Sequence, residues 1–167
     1  MNGDRVERLS AAKASTFVVA DARSAQAQSA LSAYFAELDE IFPAGFDSGD
    51  ALARDAELFD PPHGSFLVVH DRSDVIGCGG ILSIDARIGE IKRMWIAPGW
   101  RGCGLASRLL AELEERSRSI GHAIVRLDTN ASLKTAINLY ERSGFQTVDR
   151  YNDNPYAHRW FEKRLTS

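Results

Sequence analysis

The sequence predicts one α/β domain: a mixed, mostly antiparallel sheet with a central parallel strand pair, flanked by helices. Three observations carry that prediction. Short runs rich in β-branched and aromatic residues alternate with stretches whose apolar residues recur at three- and four-residue steps, so strands and amphipathic helices interleave. Residues 65–82 hold two strand-like runs around the polar turn Asp71-Arg72-Ser73-Asp74, which reads as an antiparallel hairpin. Residues 90–128 read as strand, glycine-rich turn, helix and strand, a β-α-β unit whose two strands run parallel.

Taken in order, residues 1–13 are polar and charged and are expected to form a flexible segment. Ser15-Thr16-Phe17-Val18-Val19-Ala20-Asp21-Ala22 reads as the first strand, and Asp21 or Ser24 caps the helix that follows. Over residues 25–41, Leu31, Tyr34, Phe35, Leu38 and Ile41 fall on one helical face, and Pro43 and Gly45 end the pattern. A short helix over 51–58 stops before Pro61-Pro62. In the hairpin, Gly77, Gly79 and Gly80 mark either a bulge or a place where another group lies close. A turn near 86–89 leads into the central strand, and the helix over 104–119 turns Leu105, Leu109, Leu110 and Leu113 inward. Its outer face pairs Glu112 with Arg116 and Glu114 with Arg118, and Gly121 ends it. A strand over 123–128, a helix over 132–143 stopped by Gly144, and closing strands over 145–151 and 157–164 complete the pattern.

With 167 residues, 44% hydrophobic and 26% charged, residues 1–167 are expected to form one globular domain. No apolar run approaches the roughly 20 residues that cross a bilayer, and the polar start carries no signal-peptide core, so a cytoplasmic protein without membrane contact is expected. Cys78 and Cys103 suit a reducing compartment, and neither has the neighbours of a zinc site, so no metal is expected. A formal net charge of -3 argues against a nucleic-acid partner. A homodimer is compatible with the sequence, which specifies no mode of assembly.

The chemistry concentrates in residues 90–113. Glu90-Ile91-Lys92-Arg93-Met94-Trp95-Ile96 runs as a strand, Ala97-Pro98-Gly99-Trp100 turns, and Arg101-Gly102-Cys103-Gly104-Leu105-Ala106 opens a helix. The free amides of a helix's first turn and the positive end of its dipole form a phosphate site, and glycines let a diphosphate approach the backbone. This hexapeptide resembles the pyrophosphate-binding pattern Arg/Gln-x-x-Gly-x-Gly/Ala of the GCN5-related N-acetyltransferase (GNAT) family. Downstream, Ala136-Ile137-Asn138-Leu139-Tyr140-Glu141-Arg142-Ser143-Gly144-Phe145 resembles that family's Ala-Ile-x-Leu-Tyr-Glu-x-x-Gly-Phe. Both motifs stand in the family's order and at about its spacing, and the resemblance covers residues 65–165 better than the first 60.

The resemblance implies the acyl-CoA N-acyltransferase fold, with acetyl-CoA as cosubstrate and a primary amine of a small molecule or peptide as acceptor, attacked directly in a ternary complex. It places the diphosphate on the amides of Arg101, Gly102, Cys103, Gly104, Leu105 and Ala106, with Ser107 as a further donor. It lays the pantetheine along Met94, Trp95 and Ile96 as an added strand would lie, with an amide near Ile96 polarising the thioester carbonyl. Tyr140 matches the family's general acid, and Glu90, at the start of the central strand, is the candidate base, acting through water. Asn138 and Asn130 are candidate cofactor contacts. The Asn that many members carry three residues before the Ala of the second motif is here Leu133. Tyr34, Phe42, Phe46 and Asp47, with Tyr151, Tyr156 and His158, border the expected acceptor pocket.

Two other readings compete. Gly102-x-Gly104-x-x-Ser107, with Asp128 ending the next strand, approximates a dinucleotide-binding fingerprint. Residues 97–101 separate the strand from its glycines, however, where that fingerprint needs an immediate turn. The other reading is a non-catalytic domain that senses acetyl-CoA or an amine, which the fold alone does not distinguish from an enzyme.

Overall fold

The computed structural model describes residues 2–166. The chain runs α1 (Asn2–Ala14), β1 (Thr16–Val19), α2 (Ala25–Ile41), α3 (Ala51–Leu58), β2 (Gly64–Asp71) and β3 (Asp74–Ser83). It continues β4 (Ile88–Ile96), a 3-10 turn at Pro98–Trp100, α4 (Leu105–Ile120), β5 (Ile124–Thr129), α5 (Lys134–Arg142), β6 (Gln146–Val148) and β7 (Arg159–Arg164). One seven-stranded sheet takes the order β1-β2-β3-β4-β5-β7-β6. Among the described residues only β4 and β5 pair in parallel. This mostly antiparallel topology excludes the doubly wound dinucleotide-binding alternative.

Side-chain alternation along the strands separates two apolar clusters, one on each face of the sheet. Leu67 and Val69 of β2 pack with Leu105, Leu109 and Leu113 of α4. Phe66 and Val68 face the other way, toward Leu31 and Phe35 of α2 and Phe59 beyond α3. The glycines of β3 let both layers close. A Cβ on Gly79 would stand 2.8 Å from Leu113 Cδ1, and one on Gly80 would stand 2.4 Å from Phe59 Cε1.

The bulge anticipated at these glycines lies in the strand opposite them. Cys78 pairs with Trp95 and Gly80 with Lys92, so Arg93 and Met94 together oppose Gly79. Arg93 takes the left-handed region at φ 59°. Before this point β4 has already left its parallel neighbour: β4 and β5 pair only where Ile88, Gly89 and Glu90 meet Ile124, Val125 and Arg126.

Two expectations need correction. Residues 2–13 belong to helix α1 instead of a flexible segment, residue 1 lying outside the described residues. Ala12 is buried in the α4 cluster, and the Arg108 guanidinium donates to the carbonyls of Ala12 and Ser15, so a distant residue tethers the helix. Glu114 does not pair with Arg118 on the surface: it is buried and accepts from Lys163 Nζ of β7 at 2.8 Å, while Arg118 pairs with Glu115.

Where β4 and β5 do meet, a buried histidine braces the join. Ser83 Oγ donates to the His63 carbonyl at 2.7 Å and so accepts the Nε2 proton of His122 at 2.8 Å. Ser117 Oγ then donates to Nδ1 at 2.8 Å, which keeps the imidazole neutral. Burial lowers the His122 pKa below its ordinary 6.5, opposed by the charge of Asp85. Because the folded value lies below the unfolded one, the unfolded chain binds more protons as pH falls past 6.5, and stability is lost toward acid. We expect the unfolding midpoint to drop between about pH 7 and pH 5. His122→Gln should flatten that slope while lowering the midpoint at pH 7, and an unchanged slope would remove His122 from the effect.

Candidate active site

The parting of β4 from β5 opens a cleft of about 600 Å³, bounded also by α2, the turn before α4, α5 and the β6–β7 connection. Met94, Trp95, Ile96, Arg101, Gly102, Gly104, Leu105, Ala106, Ser107, Asn130 and Tyr140 all line it. Cys103, Glu90 and Asn138 do not. Cys103 borders a separate small cavity beside α1, and Asn138 is exposed on α5.

The turn before α4 has the form of an anion site. Gly102 and Gly104 take φ 76° and 83°, a conformation that places successive amides on one side of the turn. Gly104 caps α4 without a side-chain acceptor, so the first amides of the helix, at Leu105, Ala106 and Ser107, have no intrahelical partner. A Cβ at Gly102 or Gly104 would meet nothing within 4 Å, so the space above the turn is open. Arg101 adds little free charge there. Its Nε donates to the Ile96 carbonyl at 3.0 Å, and its Nη2 donates to Glu37 Oε1 and Oε2 at 2.6 and 2.7 Å. Trp95 Nε1 reaches the same carboxylate at 2.8 Å, so Glu37 of α2 ties both sides of the cleft mouth together.

Tyr140 sits deeper. Its ring packs against Phe145 and Phe161, each at 6.0 Å, and the residue is 8% exposed. Burial raises the phenol's pKa, with the negative forms of Tyr34 and Asp128 adding to it, so the group stays protonated at neutral pH. Across the cleft, burial pushes Tyr34 up to about 12, partly offset by Arg93.

Two carboxylates, Glu90 and Asp128, are bridged by Asn152 Nδ2 near the place expected of the base. Glu90 is 5% exposed and enclosed: the Tyr151 hydroxyl donates to it at 2.7 Å, Asn152 Nδ2 at 3.3 Å, and Lys92 Nζ stands 3.3 Å away. Asp128 lines the cleft. It accepts from Asn152 Nδ2 at 2.6 Å and Asn154 Nδ2 at 3.0 Å, both neutral amides. Of the two carboxylates in the cleft, Glu37 is paired with Arg101, and Asp128 has no cationic partner among the described residues.

Asn130 also lines the cleft, but its side chain is occupied. Nδ2 donates to the Tyr156 carbonyl at 2.7 Å, and Oδ1 accepts from the Ser132 amide at 2.9 Å. Of the expected pocket residues, Tyr34, Phe42, Phe46 and Tyr156 are present, whereas Asp47, Tyr151 and His158 stand outside. Phe46 lies 4.7 Å from Tyr156 and 5.9 Å from Phe42, so three rings form one aromatic wall.

The sequence profile of the Acetyltransferase (GNAT) family matches residues 31–145. The chain belongs to this family. It is an acyltransferase enzyme by that membership. It is 34% identical over 141 residues to the IAA acetyltransferase of Azospirillum brasilense, covering 81% of this chain and 88% of that protein. It is 35% identical over 96 residues to the N-acetyltransferase YjgM of Escherichia coli K12, covering 56% of this chain and 58% of that protein. An acetyltransferase of the GNAT family from Staphylococcus aureus Mu50 shares the fold, with a TM-score of 0.78 at 14% identity over 91% of this chain and 99% of that one. A GNAT family acetyltransferase from Elizabethkingia anophelis with acetyl-CoA bound has a TM-score of 0.67 at 16% identity, over 90% of this chain and 98% of that one.

In this GNAT acetyltransferase, the glycine turn and Tyr140 expected from the sequence line the cleft, whereas the Asn152–Asp128–Asn154 arrangement was not anticipated. The one available signal was Asn152-Asp153-Asn154-Pro155, a turn-forming run rich in side-chain amides. For the turn, Gly104→Val should remove measurable acetyl-CoA binding in calorimetry. The left-handed strain of about 1–2 kcal/mol should lower the unfolding midpoint by only about 3–8 °C. Retained affinity would refute the phosphate site.

Proposed function

We propose that this enzyme transfers an acetyl group from acetyl-CoA to a primary amine by direct attack in a ternary complex, with the whole chain acting as one catalytic domain. The observation that carries this reading is the placement of an unpaired carboxylate, Asp128, and a protonated phenol, Tyr140, in one cleft with the phosphate turn. Acetyl-CoA fits the residues present. The open amides at Gly102, Gly104, Leu105, Ala106 and Ser107 suit its diphosphate, and the edge of β4 that β5 leaves unpaired suits its pantetheine amides. Bound there, it supplies an acyl carbon activated by a thiolate leaving group.

The residues of the chain divide the proton work. Asp128 attracts the acceptor's ammonium, which gives up one proton to solvent to free its lone pair, and Asp128 takes the second proton as the nitrogen bonds to the acyl carbon. As the carbon–sulfur bond breaks, Tyr140 gives its phenolic proton to the sulfur. Glu90 is a positioning residue, since Asn152 Nδ2 bridges it to Asp128. The aromatic wall of Phe42, Phe46 and Tyr156 covers the acceptor's carbon skeleton, which favours an amine on an apolar or aromatic frame over one on a polyanionic frame.

Release of free thiol in the presence of an amine panel tests the reading. Asp128→Asn should lower kcat/KM by about 10²–10⁴ while acetyl-CoA affinity holds. A smaller loss than that from Glu90→Gln would return the role of base to Glu90. Tyr140→Phe should lower kcat about 100-fold with little change in acetyl-CoA affinity, and full turnover across pH would remove Tyr140 from the mechanism.

A further inference from the structure

Helix α1 lies outside the residues that the family profile matches, yet it sits against the phosphate turn. A cavity of about 260 Å³ between them is lined by Arg5, Arg8 and Leu9 of α1 and by Arg101, Gly102 and Cys103 of the turn. Arg5 and Arg8, three residues apart, share a helical face with the buried Ala12. That face is held in place. The Arg108 guanidinium donates to the Ala12 carbonyl, Ser15 Oγ donates to the Ala11 carbonyl at 3.0 Å, and Arg8 Nη1 donates to the Gly99 carbonyl at 3.3 Å.

The charges in this cavity are unbalanced. No acidic residue lines it, and neither Arg5 nor Arg8 forms an ion pair among the described residues. Arg101 is already committed to Glu37. Two arginines without an ionic partner among the described residues therefore line a cavity against the turn that suits a diphosphate. Coenzyme A carries a third phosphate a few bonds away, a dianionic monoester on the 3′ carbon of its ribose, and paired guanidinium donors match such a group.

We infer that α1 supplies Arg5 and Arg8 as a clamp for the 3′-phosphate of coenzyme A. The inference rests on the reading that the turn binds acetyl-CoA. The clamp makes the enzyme discriminate coenzyme A from its 3′-dephospho form, a distinction to which the diphosphate turn and the pantetheine edge are blind.

Calorimetric titration of the full chain with coenzyme A and with 3′-dephospho-coenzyme A tests it. The parent protein should bind coenzyme A about tenfold more tightly than the dephospho form. The double variant Arg5→Gln, Arg8→Gln should lose that preference, binding coenzyme A about tenfold more weakly and the dephospho form as the parent does. Arg5→Gln alone, at a side chain with no hydrogen bond in the fold, should give part of the same loss. Equal binding of both ligands by the parent would overturn the clamp alone, as would an equal weakening of both ligands in the variants. A parent that binds neither ligand overturns the clamp together with the acetyl-CoA reading.

Discussion

The bulge at Arg93 is the constraint on which the cleft depends. A non-glycine residue in the left-handed region costs on the order of 1–3 kcal/mol and persists only where its surroundings hold it. Here they do so from three elements. The Cys78 thiol of β3 donates to the Arg93 carbonyl at 3.3 Å, Asp55 of α3 pairs with its guanidinium, and Phe35 of α2 stacks beneath that guanidinium at 5.0 Å. With the extra residue fixed, β4, already parted from β5 after Glu90, does not rejoin it, and an edge stays free. The glycines of β3 serve the same end, letting α4 and Phe59 close on a strand whose partner is irregular.

The second organising feature is the β6–β7 connection, which carries the polar side chains that address the cleft. Asn152 and Asn154 converge on Asp128, Trp160 Nε1 donates to Asn152 Oδ1 at 2.9 Å, and the Asn154 side chain accepts from the Tyr156 amide at 3.1 Å. Neutral amides orient the carboxylate without neutralising it, which a lysine or arginine in their place would do. The same connection carries Tyr156 into the aromatic wall and Tyr151 onto Glu90, so one segment contributes to the wall and holds both carboxylates, Glu90 and Asp128.

Much of this was legible in the sequence, and the illegible parts share a cause. The α2 pattern, the glycine turn and the Tyr140 helix are written in local spacing, and the structure reproduces them at residues 25–41, 101–106 and 134–142. Glu90, expected to act as a base through water, is enclosed instead, because Tyr151, 61 residues away, covers it. The order of α1 depends on Arg108, 96 residues from the carbonyl it holds. Asp128 was visible as a strand-end acid, but its lack of a cation is a property of the assembled cleft. Periodicity reports on neighbours in the chain, and these three features are set by partners far along it.

The short join between β4 and β5 also bears on what the cleft can admit. At its centre Gly89 lies so near the buried histidine that a Cβ there would stand 2.4 Å from His122 Nδ1 and 2.6 Å from Ser117 Oγ. The two halves of the sheet thus meet like the covers of a book whose spine is glued, with no slack at the fold. A gap anchored this way is closely packed at its base. The size of group accepted is then a matter of the side chains along the opening, Met94 and Tyr34 among them, and changes in acyl preference within this architecture should come from replacing those residues and not from loosening the sheet.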